Sequence, residues 1–392
     1  MTTNSASDLL VPADASAWVE IDLGAIRDNV ATLRAGTTAQ VMAVVKADAY
    51  GHGLLPSAQA ALAGGATWLG VAQLAEALAV RAGGITAPLL TWLYPPGADL
   101  SAALDAGIDL NVSAPDALAE VVTAARDRGV TARVHLKVDT GLGRNGAFCQ
   151  GWTELLPLVA QAAAEGSVEV IGIWSHFAWA DAPEHPTVRA QQEVFVEAVA
   201  QAARHGIHPQ LRHLANSAAT LTNPSAHFDL VRPGLAVYGL SPVPDLGPPE
   251  HFGLREAMRI TARLTLVKSV PAGQGVSYAH AYTTPAATRL GLVPMGYADG
   301  IARSGTNVGP VRLGDHRYAV AGRVCMDQFM LDLGADSPAQ AGDEVVILGR
   351  GADGDPTAQD WAAATGTINY EIVTRMSPRL PRVFRPIPGG AQ

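Results

Sequence analysis

Val41-Met-Ala-Val-Val45 runs directly into Lys46-Ala-Asp-Ala-Tyr50-Gly-His-Gly53, and this junction decides how the rest of the chain reads. The apolar run has no polar alternate, so it predicts a strand covered on both faces, as in a parallel sheet. Working outward, the pattern repeats. A helical stretch covers 56–64, then strand 68–72 and helix 73–82, stopped by Gly83-Gly84. Strand 89–93, helix 99–106, strand 108–112 and helix 115–128 follow, with Asp99 and Ser113 where N-caps belong. Strand 132–138, helix 152–165, strand 169–175, helix 186–205, strand 210–215 and a last strand within Phe228–Tyr238 complete it. Eight strands over about 210 residues, six of them separated by clear helices, predict a closed (β/α)8 barrel, with an open doubly wound sheet as the alternative.

The 392-residue length leaves room for a second domain. Ser241 to Leu254 holds four prolines and reads as a linker. Beyond it come short alternating runs at Arg259–Val270, Arg289–Val293 and Val311–Leu333, with no long helix before 357–375. The expected division is a disordered tail over 1–17, an α/β barrel over 18–250 and a mostly β domain over 251–392. The strand Trp18-Val-Glu-Ile-Asp22 could pair with either domain.

Composition narrows the function. Hydrophobic residues at 48% and charged residues at 16% form a core rather than a disordered chain. A net charge of −9 argues against nucleic acid and anionic membranes as partners, both of which need a basic face. No apolar stretch approaches the ~20 residues of a membrane span, and the first seventeen residues lack the Lys or Arg and apolar core of a secretory signal. An isolated pair of cysteines, Cys149 and Cys325, suggests a reducing compartment, so a cytoplasmic protein is expected. No metal-spaced Cys/His cluster and no P-loop is present.

Polar residues gather at the C-terminal ends of the predicted strands, where barrel active sites form: Lys46 and Tyr50, then Lys137, His176, Asn216-Ser217 and Arg232. A lysine at the end of a buried strand either snorkels to water or, with its pKa lowered by burial, attacks a carbonyl as a neutral amine. Lys137 either pairs with Asp139 or is neutralised covalently. His176 alone reads as a core or a catalytic histidine. Asn216-Ser217 either cap a helix or face a ligand, and Gly234 is either a turn or a close backbone approach to a phosphate.

The block Ala43-Val-Val-Lys46-Ala-Asp-Ala-Tyr50-Gly-His-Gly53 closely resembles the alanine racemase family, barrel-type pyridoxal-phosphate enzymes. Further blocks follow in family order from about residue 17 to 384: His135-Leu-Lys-Val-Asp-Thr-Gly-Leu-Gly-Arg144, Ser175-His-Phe-Ala178, Ala215-Asn-Ser217, and Val231-Arg-Pro-Gly-Leu-Ala-Val-Tyr-Gly239. Val276-Ser-Tyr278, Met295-Gly-Tyr297-Ala-Asp-Gly300, Gly322-Arg-Val-Cys-Met-Asp-Gln328 and Asn369-Tyr370-Glu371 complete the set.

The resemblance implies that Lys46 carries pyridoxal phosphate. Tyr50, Ser217, Gly234, Leu235 and Tyr370 would surround its phosphate, Asn216 would also bind the cofactor, and Arg232 would face the pyridine nitrogen. His176 would sit near the ring and link to the second base, Tyr278, supplied by a partner subunit of a homodimer. Arg144 and the backbone of Met326 would hold the carboxylate of alanine, Lys137 would be carbamylated, and Tyr297, Asp181, Arg303 and Tyr370 would line the substrate channel. Trp179 departs from the family, which usually has a smaller residue there. Racemisation needs a base on each face of the α carbon; Lys46 would serve D-alanine and Tyr278 L-alanine, the product feeding peptidoglycan. The rivals are a serine or broad-specificity racemase, a barrel decarboxylase with cysteine in place of Tyr278, a cofactor-binding protein without a β domain, and a cofactor-free aldolase.

Overall fold

The computed structural model describes residues 11–387. The chain runs β1 (Ala17–Asp22), α1 (Leu23–Ala35), β2 (Gln40–Val44), a helical turn α2 (Lys46–Gly51), α3 (Leu54–Ala63), β3 (Trp68–Gln73), α4 (Leu74–Ala82), β4 (Leu89–Leu93) and α5 (Ser101–Asp105). It continues with β5 (Asp109–Val112), α6 (Pro115–Arg128), β6 (Ala132–Lys137), α7 (Gln150–Ala164), β7 (Val168–Trp174), α8 (Pro186–Arg204), β8 (Leu211–His213), α9 (Ser217–Thr222) and β9 (Leu230–Val231). Two compact units result: Ile26–Ala49 with Leu54–Leu254, and the remainder of the described chain.

In the first unit, β2 to β9 form one parallel sheet in the order β8-β7-β6-β5-β4-β3-β2-β9. Its ends meet through Asp229 N–H to Arg212 O at 3.1 Å and Arg232 N–H to Ala215 O at 2.9 Å. The sheet is therefore a nearly closed barrel rather than an open doubly wound sheet. Met42, Trp68, Leu90, Ile171, Leu211 and Leu230 fill it. The outer helices each bury one stripe; on α8 Val188, Phe195, Ala198 and Ala202 face inward. Proline at the first position and Gly129 in the left-handed conformation, φ 66°, start and stop α6.

The expected N-caps are each displaced by one residue. Leu100 and Ala114 occupy the cap positions, and neither makes a side-chain cap bond. Asp99 instead accepts from the Ser101 N–H at 2.9 Å as an Asx turn ahead of α5.

The second unit contains β10 (Met258–Arg263), β11 (Leu266–Val270), β12 (Gly275–Val276), β13 (Tyr282–Thr283), β14 (Thr288–Val293), β15 (Pro310–Leu313), β16 (His316–Ala321), β17 (Phe329–Asp332), β18 (Glu344–Leu348), α10 (Ala358–Thr365), α11 (Asn369–Thr374) and β19 (Arg382–Arg385). Its main sheet has the order β11-β14-β17-β16-β15-β18-β10-β1-β19. The opening strand β1 pairs antiparallel with β10 and parallel with β19, so it belongs here and not to the barrel. The helix expected over 357–375 is two helices, because Gly366 turns left-handed at φ 72° and ends α10.

The first ten residues, which hold most of the expected disordered tail, lie outside the described residues. From Pro12 the chain makes a turn, and the Ser16 carbonyl accepts from Arg263 N–H at 2.8 Å before Ala17 joins β1. Among the described residues no helix is long and apolar enough to cross a membrane.

Candidate active site

Lys46 opens a turn that its sequence does not advertise. Ala47, Asp48, Ala49 and Tyr50 have φ of 53°, 52°, 54° and 55°, and Gly51 has 82°. This is a left-handed helical turn built from L-residues. At about 1–2 kcal/mol per residue, its four non-glycine positions store roughly 4–8 kcal/mol of strain.

Specific contacts hold it. Ala47 N–H donates to Glu76 Oε1 at 2.6 Å, Ala49 N–H to Val45 O at 2.9 Å, and Leu54 N–H to Asp48 Oδ1 at 2.8 Å. Arg382 Nε donates to Gly51 O at 3.0 Å, and a Cβ on Gly51 would lie 2.4 Å from Val373 O. Glu76 also accepts from Ala72 and Gln73 N–H, both at 2.9 Å, as the third residue of the α4 capping box. Burial, and after it the positive charge of Arg144, pulls the Lys46 pKa down against the opposing effect of Glu76.

Next to this amine in the barrel unit lies a group of cations around one indole. Lys137 Nζ sits 4.1 Å from the Trp174 ring centre and Arg232 Cζ 4.9 Å from it. Trp174 is fixed by its Nε1–H to Asn111 Oδ1 at 2.9 Å and by stacking on His213 at 5.7 Å. Burial first, then Arg232 and Arg144, brings Lys137 down to about 7, with Asp139 opposing. The pairing of Lys137 with Asp139 that the sequence allows therefore does not dominate. Asp139 Oδ1 is committed elsewhere, to the N–H groups of Gly141, Leu142 and Gly143 at 2.9, 2.9 and 3.2 Å. Those bonds stiffen the loop that carries the exposed Arg144. The loop closes through Ala147 N–H to Lys137 O at 2.8 Å.

Arg232 is 4% exposed and burial lowers its pKa to about 9. Its Nη2 donates to Ser175 O at 2.6 Å and lies 3.4 Å from His176 Nδ1. Burial, with Arg232 the largest charge acting on it, pushes His176 well below the ordinary histidine range, so its imidazole is neutral near pH 7. Gln191 of α8 ties this loop down, donating to His176 O and Thr140 Oγ1, both at 3.1 Å, and accepting from Ala178 N–H at 2.8 Å.

At the end of β8, Asn216 is the N-cap of α9, its side chain accepting from Ala219 N–H at 3.1 Å. Ser217 Oγ accepts from Gly234 N–H at 2.8 Å and from Ala236 N–H at 3.3 Å. The Leu235 N–H opens the 3-10 turn Leu235–Tyr238, a position at which backbone donors suit an anion. Asp181 is exposed on the loop after β7, where Trp179 stacks on His185 with ring centres 4.1 Å apart.

The remaining expected residues lie in the sheet unit. Tyr50 and Tyr370 face each other with ring centres 6.3 Å apart, and burial, then Tyr370, raises the Tyr50 pKa so that its hydroxyl keeps its proton. Tyr278 is 70% exposed on the link between β12 and β13. Ser277, Ala279 and His280 around it have φ of 64°, 56° and 44°, strain of the kind that clusters at functional sites. Met326 and Tyr297 are exposed. Their loops join through Tyr297 N–H to Cys325 O and Ala298 N–H to Met326 O, both at 3.0 Å. Arg303 is exposed at the start of a 3-10 turn, Arg303–Gly305.

Sequence reasoning missed Glu76, Trp174, Gln191 and a buried set made of Asp109, His135 and His213. A signal for the last was present: Arg133, His135 and Lys137 alternate along β6, which puts three polar side chains on one face of a buried strand.

Residues 21–242 match the family described as "Alanine racemase, N-terminal domain" and residues 257–384 "Alanine racemase, C-terminal domain". The chain is 60% identical over 366 residues to alanine racemase of Frankia casuarinae, covering 93% of this chain and 95% of that protein. It is 58% identical to alanine racemase of Salinispora tropica, covering 94% and 98%. The crystal structure of alanine racemase from the D-cycloserine producing Streptomyces lavendulae superposes with a TM-score of 0.93 at 53% identity, covering 95% of this chain and 97% of that one. With both domains matched and relatives aligned end to end, the chain belongs to the alanine racemase family and is an enzyme of the isomerase class.

Proposed function

We propose that this enzyme interconverts L-alanine and D-alanine with pyridoxal phosphate held on Lys46, using Lys46 and the Tyr278 of a second copy as its two bases. The observation that carries the proposal is the Lys46 amine, half-buried at the barrel mouth, lowered in pKa and locked in a strained turn. The surroundings fit that cofactor. Four cations, Lys46, Lys137, Arg144 and Arg232, act on one another there, and such a cluster suits an anionic phosphate and a substrate carboxylate. Ser217 with the Gly234 and Leu235 N–H groups, and Tyr50, Asn216 and Tyr370, would hold the phosphate; Arg232 would face the ring nitrogen.

When bound, pyridoxal phosphate supplies the electron sink that stabilises charge on the substrate α carbon. The chain does the rest. Arg144 and the Met326 N–H hold the carboxylate, so the α carbon is presented in one orientation. Lys46, with its lowered pKa, exchanges a proton on the D side. Tyr278 exchanges it on the L side, helped by the neutral His176 and by Arg232. A lysine near pKa 7 is about half neutral at pH 7. The neutral amine can add to carbon dioxide with loss of a proton, and a carbamylated Lys137 would then orient Arg144 as an anion. Tyr297, Asp181, Arg303 and Tyr370 would form the channel. The enzyme would work as a cytoplasmic homodimer and supply D-alanine for peptidoglycan.

The test is conversion of L-alanine to D-alanine by purified protein, with and without added pyridoxal phosphate, and L-serine in parallel. Cofactor-dependent conversion favouring alanine is expected. Equal turnover of serine would widen the substrate class, and no racemisation by cofactor-loaded protein would refute the proposal. Mixing Lys46→Ala with Tyr278→Phe subunits should restore about a quarter of the activity, since half of randomly paired dimers hold one intact site. No recovery would put Tyr278 in its own subunit's site.

A further inference from the structure

The barrel interior carries a chain of polar side chains leading away from Arg232, and this chemistry leaves the links beyond Arg232 unused. Asp109 accepts from Arg133 through Nε at 2.8 Å and Nη2 at 3.2 Å. His135 Nε2 lies 3.1 Å from Asp109 Oδ2, and its Nδ1 lies 2.9 Å from His213 Nε2. His213 Nδ1 lies 3.2 Å from Arg232 Nη1. Asp109, His135, His213 and Arg232 are each at most 4% exposed, so every one of these groups needs its bond.

Only one distribution of protons serves all of them with neutral imidazoles. An ionised Asp109 accepts and does not donate, so His135 carries its proton on Nε2 and presents a bare Nδ1. His213 must then donate from Nε2 and accept at Nδ1, where the guanidinium of Arg232 donates. Arg232 Nη2 also faces His176 Nδ1. That nitrogen must accept too, which places the His176 proton on Nε2. The chain thus has a direction, from Arg232 through two imidazoles to a carboxylate. Arg232 makes no ion pair among the described residues, and the relay brings it the influence of a distant anion.

We infer that Asp109, acting through His135 and His213, is a positioning residue that fixes the charge and orientation of Arg232 and the tautomer of His176. The inference rests on the reading that Arg232 and His176 serve the cofactor site. Burial alone destabilises an unpaired guanidinium; aligned imidazole dipoles ending on Asp109 oppose that and strengthen one another in the dry interior. Arg133, bonded to both Asp109 oxygens, holds the carboxylate in place. Gly172 leaves the space for the middle link, because a Cβ there would lie 2.4 Å from His135 Nδ1 and 2.9 Å from His213 Nε2.

The experiment has two arms. In 15N-histidine-labelled wild-type protein without cofactor, His135 and His213, assigned by loss of signal in His135→Gln and His213→Gln, should each show a protonated Nε2 and a bare Nδ1. The opposite tautomer at either ring would overturn the relay, and this arm needs neither pyridoxal phosphate nor activity. In the loaded enzyme, Asp109→Asn should lower kcat roughly 10–100-fold, as loss of outer partners does at other sites, with KM for alanine within about twofold. Gly172→Ala, which changes no titratable group, should do the same by parting the two rings. Unchanged kcat in folded Asp109→Asn would overturn the inference. A wild-type protein that binds no pyridoxal phosphate would instead remove the reading of Lys46, leaving the tautomers to judge the relay.

Discussion

The left-handed turn after Lys46 makes a prediction whose sign separates it from an ordinary helix. Ala47 is exposed, so replacing it by glycine changes little packing, and its φ of 53° is unaltered in sense. In a right-handed helix Ala→Gly costs about 1 kcal/mol. In this turn glycine removes the left-handed penalty of about 1–2 kcal/mol and gives back roughly 0.5–1 kcal/mol in unfolded-chain entropy. The net expectation for Ala47→Gly is stabilisation by about 0.5–1 kcal/mol. Ala47→Val should move the other way, since a β-branched side chain is least tolerated at positive φ. The assay is urea unfolding of cofactor-free protein at fixed concentration, followed by fluorescence of Trp68, Trp92 and Trp174, all in the barrel unit. A lower midpoint for Ala47→Gly than for wild type would refute the argument, because it is the right-handed result.

Three further outcomes follow from single contacts. Removing the charge in Glu76→Gln deletes the influence that raises the Lys46 pKa, so the pH midpoint for capture of pyridoxal phosphate by cofactor-free protein should fall; an unchanged or higher midpoint would contradict the assignment. Burial holds the Lys137 amine down to about 7 in the folded protein, below the ordinary lysine value of about 10.4. The unfolded chain therefore binds more protons between these values, and stability rises with pH across that window. In carbon-dioxide-free buffer Lys137→Met should exceed wild type in urea midpoint by most below pH 7, with the gap closing toward alkaline pH; a pH-independent gap would count against it. A Cβ on Gly296 would lie 2.3 Å from both Cys325 O and Met326 O. Gly296→Ala should cost about 1–3 kcal/mol as overpacking and raise KM for alanine by shifting Met326, and an unaltered KM would disconnect this loop from the carboxylate.

Most of the barrel strands were legible as apolar runs between helical periods, and Lys46 stood out as a charge at the end of such a run. The left-handed turn was not legible: Lys-Ala-Asp-Ala-Tyr holds good right-handed helix formers, and only Gly51 and Gly53 hint otherwise. What imposes the conformation is tertiary, in Glu76, Val373 and Arg382. The pairing of β1 was undetermined for a related reason, since its buried alternation suits either sheet and only the registers with β10 and β19 decide. His135 escaped because the alternation of Arg133, His135 and Lys137 marks a polar face of β6 without saying whether it meets the outer helices or the lumen, and His213 because a single histidine at the end of the short β8 gives no such sign. The Asp99 and Ser113 caps missed by one residue, a displacement within which capping side chains and Asx turns look alike.

The turn also has a consequence in time. Arg382, which donates to Gly51 O, stands 331 residues further along the chain. Synthesis at roughly 5–20 residues per second separates their emergence from the ribosome by about 15–65 s. In the later part of that interval, once Val231 at the end of β9 has been made, every strand of the barrel exists while the segment after Lys46 still lacks the contacts that Val373 and Arg382 make to Gly51. A nascent barrel should therefore fold around a lysine still free to adopt a relaxed backbone. Competence to take up the cofactor would arrive only as the last strand of the polypeptide is delivered, so that translation itself sets the moment at which the amine becomes reactive.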